Sequence, residues 1–205
     1  MEKLEELKLG KDLVGDENEQ PLASYLLGKI MHCASGDYLI TVTEAYPAED
    51  FYSYIYRATH NEDYTEKSEN EIDKNGKAYK ILTDENKVGK FFLYGGMLHL
   101  AGKANEANAR IELDNVLIRG AVKIEDSTLI IDDNINMNFG EGRPTTLVKT
   151  LKIDDNNLST LRIYNSSLSF TSKQCERIGL KGKDEGKSKT DAEARYRFFI
   201  NKIKI

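Results

Sequence analysis

Between Ala109 and Thr171 the apolar and polar positions fall into a recurring six-residue pattern: Ile or Leu, any residue, Asp or Asn, a small polar residue, any residue, Leu. It reads Ile124-Glu125-Asp126-Ser127-Thr128-Leu129, and returns as Ile153-Asp154-Asp155-Asn156-Asn157-Leu158 and Ile163-Tyr164-Asn165-Ser166-Ser167-Leu168. A version one residue shorter is Leu113-Asp114-Asn115-Val116-Leu117. Val122 and Ile124 alternate with Lys123 and Glu125, which places the two pairs on opposite faces of a strand. Asp, Asn and Ser then bend the chain, because their short side chains bond nearby backbone. Leu129 and Ile131 resume the inward face. Each unit therefore predicts strand, bend, strand.

Two architectures are built from such units, a parallel β-solenoid and an antiparallel sandwich of short hairpins. Solenoid coils return at a near-constant period. Here the units start unevenly, at 113, 124, 153 and 163, with Gly140 to Pro144 reading as an inserted loop. Both architectures stay open at this point.

Ahead of this region, Leu4, Leu7 and Leu9 alternate with charge and lead to Leu13-Val14, a short helix or strand. Pro21 to Cys33 predicts a helix. Pro suits the first turn, and Leu22, Leu26, Ile30 with Ala23, Leu27, Met31 form an apolar stripe at helical spacing. Gly36 is its stop. Asp37 to Tyr46 predicts a strand ended by Pro47. Phe51 and Ile55 fit a helix, but the alternation of Tyr52, Tyr54 and Tyr56 favours a strand from Tyr52 onward. His60 to Lys77 has six acidic residues, almost no apolar ones and Asn75-Gly76, and reads as a solvated loop ending at a turn. Ala78 to Thr83 reads as a strand. Lys90 to Ala101 does too, with Gly95-Gly96 as a bulge or tight turn.

Beyond Thr171 the composition changes. Lys181 to Lys189 contains only Gly, Ser and charged residues and reads as a flexible linker. Thr190-Asp191-Ala192-Glu193 has the form of a helix capping box. Tyr196, Phe199, Ile200 and Ile203 follow at i, i+3, i+4 and i+7, one apolar face of a C-terminal helix. The competing reading is a strand, since Arg195 to Ile200 alternates in part. So short an apolar face must bury against this chain's own β region or against a partner. The expected fold is mainly β (α+β), with an N-terminal and a C-terminal helix. Three segments are expected: α+β over 1–101, repeated short strands over 102–172, and a basic linker with a helix over 173–205.

Charge and cysteine content narrow the function classes. The 205 residues carry a net charge of −5, which gives no global attraction to nucleic acid or anionic membrane. Cys33 and Cys175 stand far apart, so neither a disulfide framework nor a metal-ligand spacing is present. The opening residues lack the apolar run of a signal peptide, and no run approaches the roughly 20 residues of a membrane span. A soluble, cytoplasmic protein is the expectation.

Candidate chemistry is sparse. Gly182 to Ser188 resembles a phosphate-binding loop but has three residues between its glycines where the motif needs four. Asp132, Asn134 and Asn136 suggest calcium ligands, yet Met137 and Arg143 stand where the calcium loop needs Gly and Glu. His32-Cys33 are sequence neighbours, which point about 100° apart on a helix, and His60 and His99 have no recognisable ligand partners. No catalytic residue, metal or cofactor is expected. The tyrosines are more informative. Nine of 11 precede residue 95, and Tyr combines apolar area with a polar tip suited to interfaces.

The expected function is a non-catalytic interaction protein that binds another macromolecule through a β surface or a tyrosine-rich region. Its binding residues are Tyr52, Tyr54, Tyr56, Tyr196, Phe199, Ile200 and Ile203. The expected partner is a protein or a second copy of this chain, and neither nucleic acid nor a membrane. The alternative is a carbohydrate-active enzyme with carboxylates such as Asp132 and Asp154 facing each other, roughly 5 to 10 Å apart. Limited proteolysis is expected to cut first within 60–77 or 181–189. Early cleavage inside 111–168 contradicts this layout.

Overall fold

The computed structural model describes residues 22–102, 113–125, 128–129, 144–178, 180 and 186–204. The sheet grows from two long strands. β1 (Ile30–Cys33) leads into β2 (Gly36–Pro47). After α2 (Tyr54–Thr59) and α3 (Lys77–Leu82), β3 (Phe91–Tyr94) and β4 (Met97–Ala101) form a hairpin, and β5 (Leu113–Glu125) comes next. β6 (Thr128–Leu129), β7 (Arg162–Tyr164), β8 (Ser169–Cys175) and β9 (Arg197–Lys204) complete nine strands among the described residues. The short α1 (Leu22–Tyr25) precedes β1, α4 (Pro144–Leu151) lies between β6 and β7, and α5 (Lys187–Glu193) lies before β9.

β3, β4, β5 and β2 lie side by side, with β6 returning along the end of β5. The other edge of β2 is shared. Its first half pairs with β1, which then pairs with β7. Its second half, Val42 to Glu44, pairs with β9, which then pairs with β8. Around the changeover β2 shifts register against β5, first between Ile40 and Val42. Gly120 sits opposite, where a Cβ would come 3.0 Å from Val42 Cγ2. Such an irregularity increases local twist, and the sheet curls into an antiparallel half-barrel.

Every pairing between these strands is antiparallel, so no solenoid is formed among the described residues. A solenoid stacks parallel coils, whereas these bends return the chain on itself. Of the patterned units, Leu113-Leu117 stays straight within β5, and Ile124 pairs with Leu129 across a hairpin. At the third unit Asp154 Oδ1 accepts from the backbone N–H groups of Asn156 and Asn157, at 2.9 and 3.0 Å. That bond closes a turn and leads into a 3-10 helix at Leu158–Thr160 rather than a strand. The pattern permits a bend, and the flanking partners decide whether one forms and which element the chain enters after it.

Strand alternation gives the sheet one apolar face. Tyr38, Ile40 and Ala45 of β2, Val116 and Ile118 of β5, Leu98 and Leu100 of β4, and Phe198 and Ile200 of β9 are all buried there. Leu22, Ala23 and Leu26 from the α1 region and Val148 and Leu151 from α4 cover them. Each fully buried large apolar side chain contributes about 1.5–3 kcal/mol. Thr43 shares this face and stays satisfied by donating to the Ala23 carbonyl at 2.6 Å. A smaller cluster, Ala78, Leu82, Phe92 and Ala101, seats α2 and α3 near the β3–β4 edge.

Several sequence expectations change. The helix expected over Pro21 to Cys33 is a single turn, and Ile30 to Cys33 is β1. Gly28, at φ +72°, ends the turn, and its N–H donates to the Ile40 carbonyl. Burial on one sheet face and one helix face overlap over so few residues, so the apolar stripe misled. From Tyr54 the chain is α2, not a strand, because Ser53 caps it by accepting from Tyr56 N–H at 3.0 Å. Ala78 to Thr83 is largely α3, which turns Ala78 and Leu82 inward together. Gly95 and Gly96, at φ +58° and +73°, form the tight turn of the β3–β4 hairpin.

The C-terminal helix is also corrected. Thr190 lies inside α5, which starts after Gly186, and Arg197–Lys204 is strand β9. Phe198 and Ile200 alternate into the core, and a register shift against β8 brings Ile203 inward as well. Ladder bonds to both β2 and β8 outweigh the local helical spacing. The segment does bury against this chain's own sheet. That sheet draws strands from all three expected segments. The Leu4 to Val14 element, the 181–185 part of the linker, and residues 140–143 lie outside the described residues.

Gly28 yields a stability test. A Cβ there would overlap the Phe170 ring, on top of the positive-φ strain. Gly28→Ala is expected to cost about 3 kcal/mol in urea unfolding, falling to about 1 kcal/mol in a Phe170→Ala background. An equal cost in both backgrounds would mean that the close approach does not exist.

Candidate functional site

The second face of the sheet is polar and still buried. Alternation along β2 turns Glu44 and Tyr46 away from the apolar core. Arg119 of β5 and Arg197 of β9 arrive on either side. Glu44 Oε2 accepts from Arg119 Nη1 at 3.0 Å and from the Tyr46 hydroxyl at 3.2 Å. Its Oε1 accepts from Ile178 N–H at 3.3 Å and faces Arg197 Nε at 3.9 Å. Glu44 is completely buried. A carboxylate in such a place must be compensated by hydrogen-bonded cations.

Arg177 forms the second half of this layer. Its side chain is 0% exposed. Nη2 donates to Asp50 Oδ2 at 2.6 Å and to the Asp191 carbonyl at 2.5 Å, while Nη1 donates to the Ala45 carbonyl at 3.1 Å. Three tyrosine rings surround the guanidinium carbon, with centroids at 4.7 Å for Tyr46, 5.2 Å for Tyr196 and 5.7 Å for Tyr52. Tyr52 also donates to the Ser188 carbonyl at 3.1 Å. The Asp191 carboxylate accepts from Phe51 N–H and pairs with Lys187 at 3.0 Å. The turn after β2, the residues after β8 and α5 are thus fastened to one another through one cation.

Burial pushes the Asp50 carboxyl up, and Arg177 opposes that shift. Burial also raises the phenols of Tyr46, Tyr52, Tyr56 and Tyr196, with the Glu44 charge adding to the effect at Tyr46. These hydroxyls therefore stay protonated, and those of Tyr46 and Tyr52 donate to Glu44 and to the Ser188 carbonyl. Replacing a buried pair by apolar residues is often neutral, but removing one partner alone typically costs about 3–5 kcal/mol. Charged atoms directed at one another in this way form a fastening; they do not present a nucleophile to a cleft.

The expected binding residues are placed as follows. Tyr52 and Tyr196 meet around Arg177. Tyr54 turns to His99, with its hydroxyl 3.4 Å from Nε2. Tyr56 stacks on His60 at 3.8 Å, with Lys187 Nζ 5.2 Å from its centroid. The three tyrosines share no strand face, since Tyr54 and Tyr56 lie in α2 and Tyr52 precedes it. Phe199 is half-buried, 5.8 Å from the Arg197 guanidinium, and Ile200 and Ile203 belong to the core.

Asp154 is exposed and holds its turn, and Asp132 lies outside the described residues, as do Asn134 and Asn136. His32 is exposed and bonded to Asp37 at 2.6 Å, whereas Cys33 is buried against the Gly36 and Leu151 carbonyls, so they are not an acid–base and nucleophile pair. Among the described residues no three His, Cys, Asp or Glu side chains gather as metal ligands, and no helix is long and apolar enough to cross a membrane.

A groove of about 530 Å³ is lined by Ser24, Ser172, Lys173, Gln174, Arg195 and Phe198. It runs beside β8, which pairs with β9 along one edge and with no strand along the other among the described residues. Five of the seven β8 residues are exposed. Sequence reasoning missed this edge and also missed Arg119 and Arg177. The available signals were a strand-forming stretch, Ser169 to Gln174, polar on both faces, and an arginine set into the apolar run Val116 to Val122. No protein-family model matches the chain, and no curated protein matches it either.

His99 provides the pH test for this layer. It is buried, donates from Nδ1 to Asn115 Oδ1 at 2.8 Å, and stacks on Phe92. Burial pushes its pKa down to about 4. The unfolded chain takes up this proton near the ordinary value while the folded chain resists, so stability is full above that value and is lost as pH falls toward 4. Between about pH 8 and pH 5 this costs about 2 kcal/mol. His99→Gln is expected to reduce the pH dependence of urea unfolding by that amount. An unchanged slope would mean that His99 protonates freely in the fold.

Proposed function

We propose that this chain is a non-catalytic interaction protein that captures a polypeptide partner along the open edge of β8. The observation that carries this reading is the outer edge of β8, unpaired among the described residues. A strand edge presents a row of backbone donors and acceptors, and an extended peptide satisfies them by adding one more strand. Phe170, packed against Gly28, and the ladder to β9 hold this edge in place before a partner arrives. Such preorganisation lowers the ordering cost of binding.

The tyrosine-rich region supports the reading indirectly. Its rings are turned toward Arg177, His99 and His60. The β surface is therefore the better of the two expected binding surfaces. The carbohydrate-enzyme alternative gains no support, because the Asp154 carboxylate accepts two backbone N–H groups at a bend.

Panning a displayed library of random dodecapeptides against the full chain tests this. Selected peptides are expected to slow amide hydrogen exchange at Ser169 to Cys175. Failure to select any peptide, or protection confined to other strands, overturns the proposal.

A further inference from the structure

Resting on that reading, we infer that the segment added to β8 is acidic. The groove beside β8, shared with β9 and the α1 region, is lined by two cations, Lys173 in the middle of β8 and Arg195 two residues ahead of β9. Neither has a salt-bridge or hydrogen-bond partner among the described residues. Three neighbouring cations are already engaged. Arg177 is held by Asp50, Arg197 faces Glu44, and Lys187 pairs with Asp191. The chain as a whole is acidic, at −5, and these two cations belong to its basic C-terminal segment, 173–205.

The remaining lining argues for the same chemistry. Ser24, Ser172 and Gln174 bring hydroxyls and an amide that hydrogen-bond carboxylates or backbone. Phe198 is only 3% exposed, so the groove has little apolar floor to anchor a hydrophobic side chain. Recognition here is by ladder bonds plus charge. Ladder bonds are indifferent to sequence, and Lys173 and Arg195 confer the preference for Glu or Asp. Complementary charge at an exposed rim acts on selectivity and encounter rate, and salt weakens it.

Fluorescence anisotropy with the full chain provides the test. The probes are fluorescein-labelled alternating dodecapeptides of Glu-Thr, Gln-Thr and Lys-Thr. The Glu-Thr probe is expected to bind about tenfold tighter than Gln-Thr at low salt, with the advantage largely lost in about 0.5 M NaCl. Lys173→Glu combined with Arg195→Glu should transfer the preference to Lys-Thr. The two side chains are solvent-facing, so an unchanged melting temperature checks that the variant folds. Equal affinity for Glu-Thr and Gln-Thr, with β8 amides protected by both, overturns the acidic preference and leaves the edge reading standing. Absence of β8 protection with every probe overturns the edge reading itself. Concentration-dependent dimerisation lost in the charge-reversal variant assigns the edge to a second copy. A tenfold gain in Glu-Thr affinity on replacing Glu2, Glu5 and Glu6 with Gln assigns it to this chain's own amino-terminal residues. Either of these results overturns an acidic partner.

Discussion

Arg177 carries a charge to a place with no access to water. A guanidinium there is tolerated only if protein groups replace its hydration. The Asp50 carboxylate, the Ala45 and Asp191 carbonyls and three tyrosine faces do so. Those groups come from the end of β2, the turn after it, α5 and the residue before β9. Their positions depend on one another because they depend on the same cation. Glu44 applies the same constraint one step along β2, holding Arg119 of β5 and Arg197 of β9. Between them, the two buried charges tie the C-terminal segment to strands formed much earlier in the chain.

The sheet consequently has two faces that are both buried but differ in chemistry. The apolar face gains its stability from area, and neighbouring residues there can be exchanged for others of similar volume. The polar face depends on geometry, since its pairs are directional: Arg119 Nη1 meets Glu44, and Arg177 Nη1 and Nη2 meet Ala45 and Asp50, while the Nε atoms of Arg119, Arg177 and Arg197 have no hydrogen-bond acceptor among the described residues. This difference explains the fate of the tyrosines. A phenol has apolar area to cover an arginine and a hydroxyl to satisfy a carboxylate or carbonyl, so Tyr46, Tyr52 and Tyr196 suit the polar layer. Residue types typical of interfaces are equally suited to an internal interface between a sheet and its own covering segments.

Burying both faces leaves the sheet edges as the sites of open backbone. β2 is flanked on both sides, and β9 is flanked by β2 and β8, so on this side of the half-barrel the openness passes outward to β8. Natural edge strands are commonly protected by charge, by bulges or by covering segments. β8 has one register shift and one lysine, and its side chains are exposed on both faces.

Alternation and local backbone chemistry were enough to specify the β-rich character, the strand over Asp37 to Tyr46, the Gly95-Gly96 turn and the bend at Asp154 to Asn157. Each of these acts over a few residues and is therefore legible in the amino-acid order. The remaining features depend on long-range partners. Tyr196, Phe199, Ile200 and Ile203 have helical spacing, yet two flanking strands offer ladder bonds that an isolated turn of helix cannot match. Leu22 to Met31 has helical spacing too, but Gly28 must pass under Phe170 and return toward Ile40. The meeting of Arg177 with Asp50 spans 127 residues, and that of Arg119 with Glu44 spans 75. Nothing local specifies such partners. They are chosen when curling of the sheet places oppositely charged side chains on its second face and excludes the water that would otherwise solvate them.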